Sequence, residues 1–480
     1  MSIVIFKGSK MSKCRKENNK KKIISKVEAT SDTLTSRGGL ALFAKYINGI
    51  DILPILLSFF GNIRKTKKGL EVSTIFKQLF CWFYDGTSRH LVSFDERKKD
   101  EGYAATIENA VEDMASSHQI KRFFCKFSYF YRWKFCKVLQ HLFVWRLQIL
   151  NPDIIHLTLD TMVMSNDEAL KRHGVKVTYK KKKGFQPLQI IWNGKIVDAI
   201  FRSGDKHSNY GRDVKLMITN IVDVIRKRYR KNVTIILSTD SGFFDEKNFE
   251  VFDKLGIGFV CTGKMYDDVK EYVKSQSRDG WSDYEKGQKR WEYLEFGFRC
   301  KSWNKFYRAI YTHYCYEEGS GQILLDFARP DNVIITNIGV TQSALLNCDP
   351  KMVKCLLKNE TIIRNHHQRG ADELPHRGLK DLGFEELPFL RFGANNAVYY
   401  CMVITFFFSE TFKEDVLRDV VSVKSYASTV RRKVLDIAAK IVKTGRGVIL
   451  KVGESIYKEL RMELLWQLCQ SPPPIVAEPG

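Results

Sequence analysis

The segments "IIHLTLDTMVM" (residues 154–164) and "VTIILSTDSGFF" (residues 233–244) decide the fold. Each is a short β-branched, apolar run that reaches an aspartate, Asp160 or Asp240, followed by a hydroxyl or turn-forming residue. Runs of this kind read as central strands buried on both faces. Between them "KVTYKKKKGFQPLQIIWNGKIVDAIFR" (residues 176–202) reads as a hairpin or meander turning at Asn193 and Gly194. "GRDVKLMITNIVDVIRKRYRK" (residues 211–231) has the period of an amphipathic helix with a basic end. Strand, hairpin, helix, strand is the first half of a mixed α/β domain.

Outward from this centre the texture changes. From residue 40 to 150, "LEVSTIFKQLFCWFY" and "FFCKFSYFYRWKFCKVLQHLFVWRLQIL" place apolar residues at helical intervals. Between these, Ser116 or Ser117 would cap a short helix that turns His118, Gln119, Lys121 and Arg122 outward, either as a groove-reading helix or as a solvated face. From residue 264 to 340, "RWEYLEFGFRCKSW", "FYRAIYTHYCY", "ILLDFA" and "VIITNI" read as consecutive antiparallel strands. Helices are expected to return at "SALLNCDPKMVKCLLKN" and to persist through "VRRKVLDIAAKIVKTGRGVILKV", before an extended tail, "SPPPIVAEPG". The expected division is a basic arm (1–30), a helical DNA-binding domain (31–150), a first catalytic part (151–263), a β-strand insertion (264–342), a second catalytic part (343–412) and a helical C-terminal region (413–480).

Lys and Arg number 78 against 54 Asp and Glu, a net charge of +24, which favours a polyanionic partner. A membrane is the weaker choice: the longest apolar run, residues 397–408, is well short of the ~20 residues a bilayer needs. The first residues place apolar groups before the charges, the reverse of a secretory signal. Eleven cysteines without a CxxC pair exclude a zinc ribbon or a disulfide framework and suit a reducing cytoplasm.

Asp160 and Asp240 stand where buried strands reach their carboxyl ends, the edge on which open α/β sheets carry function. Alone, each is as readily a cap or turn former. Brought together they repel unless a cation sits between them, and oxygen-only ligands suit Mg²⁺, with Mn²⁺ as the alternative. A third acid lies in "HHQRGADELPHRGLK" (residues 366–380), where His366, Arg369, Glu373 and Lys380 would fall along one helical stripe. Pro375 and Gly378 interrupt such a helix, so either Glu373 opens it or the stripe is irregular; Asp372 is a substitute ligand off the stripe. A solvated helix with charge pairs is the alternative reading of this segment.

Together "LTLDTMV", "TDSGFF" and "HHQRGADE" resemble the three acidic motifs of DDE-type bacterial insertion-sequence transposases, in the branch whose third motif spaces Tyr, Arg, Glu and Lys as His366, Arg369, Glu373 and Lys380 are spaced here. "SRGGLALFAKYI", "ASSHQIKRFF", "FGANNAVYYCMVITFFFSETFKEDV" and "AAKIVKTGRGVILKV" extend the likeness over nearly the whole chain, with His366 replacing the family tyrosine. The resemblance implies a ribonuclease-H-like catalytic domain interrupted by an antiparallel β insertion. It also implies Asp160, Asp240 and Glu373 as a metal-holding catalytic triad, and a cytoplasmic, DNA-associated enzyme. Its function would be to cut the terminal inverted repeats of an insertion sequence and join them to target DNA, as a homodimer in the synaptic complex. His366 would donate to a phosphate with pH sensitivity, and Arg369 and Lys380 would neutralise phosphate charge.

Lys181 and Lys182 in the basic hairpin, and Arg228 and Arg230 at the helix end, are candidate DNA-backbone contacts or solvated charge. Trp291 and Trp303 are candidates for stacking on an unpaired base, against ordinary core packing. The competing functions are a ribonuclease-H-like nuclease without strand transfer and a catalytically silent DNA-binding derivative.

Overall fold

The computed structural model describes residues 24, 26–64, 69–169, 171–287, 289–315, 331–340, 348–369, 373–445 and 447–475. Most of the basic arm, "ILLDFA", Asp372 and the last five residues lie outside these. The strands expected from the two opening segments form: β1 (Ile154–Thr161), the hairpin of β2 (Leu188–Trp192) and β3 (Lys195–Ile200), β4 (Thr234–Thr239) and then β5 (Gly258–Thr262). Asn193 and Gly194 both have positive φ, 46° and 75°, as a two-residue hairpin turn of this twist requires. The aromatic block supplies β6 (Ser282–Lys286), β7 (Lys289–Phe298), β8 (Tyr307–Cys315) and β9 (Asp331–Thr336).

All nine belong to one sheet, ordered β6-β7-β8-β9-β5-β4-β1-β2-β3. β1, β4 and β5 run parallel, and every other neighbouring pair is antiparallel. The aromatic block therefore does not stand apart as a separate sheet; β9 pairs along β5, with Ile334 opposite Thr262, and the central sheet simply continues. The block also contains a helix, Asp267–Ser275, that its two-residue aromatic spacing does not announce.

Seven helices frame the site and core: α1 (Val72–Asp85), α2 (Ser117–Phe124), α3 (Arg132–Leu150), α4 (Asp213–Arg228), α5 (Asn359–Gln368), α6 (Glu373–Leu382) and α7 (Phe392–Phe412). α7 contains the longest apolar run of the chain and is buried almost throughout. A helix apolar on every side needs covering on every side. α7 meets α1, α2, α3, α6 and β3. Phe135 of α3 stacks on Tyr400 of α7, ring centroids 5.1 Å apart, and Phe80 of α1 meets Phe408 edge-on at 5.2 Å. Each such buried ring contributes about 1.5–3 kcal/mol. One apolar core runs from Leu40 to Ile475, so the N-terminal helices share their interior with the sheet. Among the described residues no single helix is long and apolar enough to cross a membrane.

Near the C-terminus the expected helix is replaced by two strands, Ala439–Thr444 and Gly447–Val452, with Thr33–Thr35 paired on the far side. "KIVKT" and "GVILKV" alternate β-branched and polar residues around a glycine-rich turn, and a period of two overrides the helical composition.

Candidate active site

β1 and β4 are adjacent and parallel, with Leu159 opposite Thr239, so Asp160 and Asp240 occupy neighbouring positions at the carboxyl edge of the sheet. The Asp160 carboxylate accepts from its neighbour's amide, Thr161 N, at 2.7 Å. Asp240 begins the turn Ser241–Phe243 and accepts from Gly242 N at 2.9 Å. The glycine of "TDSGFF" has a steric reason: a Cβ there would lie 2.9 Å from Ser208 Oγ and 3.0 Å from Asp240 Oδ1. The Asp240 carboxyl is held above the ordinary aspartate range by burial and then by the charge of Asp160, opposed by the Arg369 guanidinium and the Gly242 amide. A carboxylate that raises the proton affinity of its neighbour marks a site short of positive charge.

The third motif reaches this edge by two helices, not one stripe. His366 lies in the last turn of α5 and Arg369 is its C-terminal cap, whereas Glu373 is the first residue of α6 and Lys380 lies farther along it. Opening the helix at Glu373 puts Pro375 in the first turn, where a missing N–H breaks no helical bond. Gly378 serves close packing, because a Cβ there would come within 2.8 Å of Phe406 on α7.

Two contacts bring these helices to the sheet. Thr262, at the end of β5, has its Oγ1 2.9 Å from His366 Nε2 and 3.4 Å from Arg369 Nη1. His376, three residues past Glu373, places Nδ1 3.8 Å from Asp160 Oδ2. The first turn of α6 is thus laid against Asp160, and Arg369 beside Asp240. Neither Thr262 nor His376 belongs to the residues that the sequence motifs mark. Thr262 ends the third parallel strand and His376 lies in α6 three residues past Glu373, and neither position in the sequence announces what it faces.

Other candidates fall in varied places. Burial, then the charges of His367 and Arg369, push the His366 pKa down to about 3, and its Nε2 meets Thr262. Lys380 pairs with Glu385 at 3.0 Å. Lys181 and Lys182 are exposed in the turn before the short strand Lys183–Phe185, which pairs with Met164–Ser165 just beyond β1. That hairpin hangs from the Asp160 edge. Arg228 and Arg230 do not: they precede β4, so its six residues, about 20 Å of strand, separate them from Asp240. Arg230 bonds Asp153, Asn151 O and Pro152 O, and Arg228 lies 2.9 Å from His141 Nδ1, so both brace the opposite end of the sheet.

α2 opens with the expected cap: Ser116 Oγ accepts from Gln119 N, and Gln119 Oε1 from Ser116 N. Lys121 and Arg122 are exposed on it. Trp303 is half-buried and packs against Phe244, Phe249, Phe298 and Tyr307. Trp291 is half-buried and lies 4.7 Å from the ring of His367, beside the third motif.

Among the described residues no three His, Cys, Asp or Glu side chains converge as a metal cluster; the Glu373 side chain is not among them. The two aspartates offer oxygen donors and excess negative charge, a set that fits a hard divalent cation.

A family model described as Transposase DDE domain group 1 matches residues 16–472. A comparison with curated proteins gives no match. Among solved structures the chain is similar to the piggyBac transposase synaptic complex with hairpin DNA, at 12% identity, 94% coverage of this chain, 89% of that chain and a TM-score of 0.38.

Proposed function

Since the chain belongs to the Transposase DDE domain group 1 family, we propose that it is a cut-and-paste DNA transposase, acting on the ends of an insertion sequence through Asp160, Asp240 and Glu373. The observation that carries this reading is the adjacency of Asp160 and Asp240 on parallel strands, with the third-motif helix laid against Asp160 by His376. The sheet order β3-β2-β1-β4-β5, with β1, β4 and β5 parallel, supports a ribonuclease-H-like catalytic core.

Asp160 and Asp240, with Glu373, would hold Mg²⁺ or Mn²⁺. Bound there, divalent ions supply activation of a water or DNA 3′-hydroxyl and stabilisation of the departing oxygen. The protein's own contribution is placement and charge. Arg369, fixed by Thr262 and facing Asp240, neutralises a phosphate that enters between the carboxylates. The positive dipole at the amino end of α6 favours a phosphate at the same place. Lys181 and Lys182 flank the Asp160 edge as backbone contacts, and Lys121 and Arg122 offer a second basic face. Trp291, half-buried beside the third motif, and the half-buried Trp303 are the candidates for stacking on an unpaired base. Synapsis of two ends implies a homodimer on double-stranded DNA.

A supercoiled plasmid carrying the element's ends, incubated with Mg²⁺ or Mn²⁺, tests the reading. Excision with joining is expected. Cutting alone would assign a nuclease, and a gel shift without cutting a silent DNA-binding derivative.

A further inference from the structure

Between β3 and α4 the chain forms a loop, residues 203–211, "SGDKHSNYG", that the reaction described above does not use. It is tied to both acid-bearing strands. Ser208 Oγ lies 3.2 Å from Thr161 Oγ1, next to Asp160, and crowds Gly242, next to Asp240. Asn209 donates to Asp245 Oδ2 at 3.0 Å and accepts from Asn248 Nδ2 at 3.0 Å, which fixes the loop to the segment after β4. Beneath it the buried Arg202 donates from Nη1 to Ser208 O at 3.4 Å and from Nε to Gln186 O at 3.1 Å.

What this fixed loop presents outward is cationic and aromatic. Lys206 Nζ sits 3.9 Å from the centre of the Tyr210 ring, and the His207 ring meets the same tyrosine at 5.7 Å. His207 and Tyr210 are exposed. Tyr210 holds the Lys206 ammonium, with the charges of Asp205 and Asp213 nearby, and Asp205 also accepts from Ser203 Oγ. An ordinary solvated lysine is mobile; this one is braced by an aromatic ring on a loop bonded to the catalytic strands. A cation held on a loop bonded to both acid-bearing strands serves a group that arrives with its own negative charge.

We propose that Lys206 and His207, braced by Tyr210, form a clamp for a DNA phosphate adjoining the one cut at Asp160 and Asp240. This inference rests on the transposase reading and adds two positioning residues to it.

The test measures binding of the full chain to a short mixed-sequence duplex as a function of salt. For every phosphate that a protein ceases to neutralise, the slope of log K against log salt falls by about 0.9. Lys206→Ala with His207→Ala is expected to lower that slope by about 0.9 or more, with an unchanged melting temperature, and Lys206→Arg to restore the lysine's share. A steep wild-type slope that the double variant leaves untouched overturns the clamp alone. Wild-type binding with no salt dependence would instead overturn the DNA-binding reading and the clamp with it. Lys206→Gln, which keeps the packing on Tyr210 and removes the charge, separates the effect of charge from that of structure: it must lower the slope as the alanine does.

Discussion

The two halves of the candidate site are built differently. Asp160 and Asp240 sit on neighbouring parallel strands, whose hydrogen-bond ladder fixes their spacing near the ~4.8 Å strand separation. Arg369 and Glu373 sit at the facing ends of α5 and α6, held by side-chain contacts: His366 with Thr262, and His376 with Asp160. A ladder of backbone bonds tolerates substitution of any one side chain. A helix end held through single imidazole contacts does not. The strand half therefore sets where charge gathers, and the helical half sets how well the third acid meets it.

The sharpest break of this comparison is at the strand half. Asp240→Asn or Asp160→Asn is expected to lower plasmid cleavage on the order of 10³-fold or more while duplex affinity survives, since each removes charge without moving a strand. Undiminished cutting by either variant would end the assignment.

The two tryptophans contrast next. Trp303→Ala opens a hole inside an aromatic cluster and is expected to cost about 3 kcal/mol, read from denaturant midpoints. Trp291→Ala is expected to weaken binding to DNA with frayed ends. If Trp291→Ala leaves that binding intact, its ring is packing only.

A smaller effect concerns proton and metal together. Asp240 has a raised carboxyl pKa, chiefly from burial and then from Asp160, so the folded protein holds its proton more readily than the unfolded chain. Ionised Asp240 therefore lowers stability above its folded pKa, and this cost fades as pH falls through it. In chelator at neutral pH, Asp240→Asn should melt at a higher temperature than wild type, and the gap should close on acidification. Added Mg²⁺ or Mn²⁺ should raise the wild-type melting temperature and leave the variant's unchanged. The opposite order of melting temperatures would contradict the charge-crowded pair.

The smallest effect belongs to the helical half. His366 has a pKa lowered from 6.5 to about 3, first by burial, so the unfolded chain takes up a proton that the folded chain refuses. Stability should fall as pH drops from 6.5 toward 3, and His366→Gln should flatten that slope in denaturation measured across the window. A chemical-shift titration of His366 with its midpoint near neutrality would refute the assignment.

Much of the sheet was legible because strands buried on both faces write themselves as apolar runs, and Asn193 with Gly194 names its own turn. The acids at the strand ends followed from the same runs. The third motif was legible as spacing but not as shape: residue intervals match a stripe on one helix equally well when the chain ends one helix and begins another, and only Pro375 hinted at the break. His376 and Thr262 escaped because their meaning lies in what they face across the fold, and a single sequence does not record facing partners. The place of Arg228 and Arg230 was hidden for the same reason. A basic run marks charge, and only the direction of β4 shows that this charge lies at the edge opposite Asp240.

The long helix α7, enclosed by the N-terminal helices on one side and the sheet on the other, has a consequence for how this protein can be divided. The region before β1 is not a cassette that can be exchanged for another module, because removing it strips the cover from Phe80's and Phe135's partners, Phe408 and Tyr400. Retargeting such an enzyme means resurfacing the scaffold it already has, residue by residue, while leaving its interior alone.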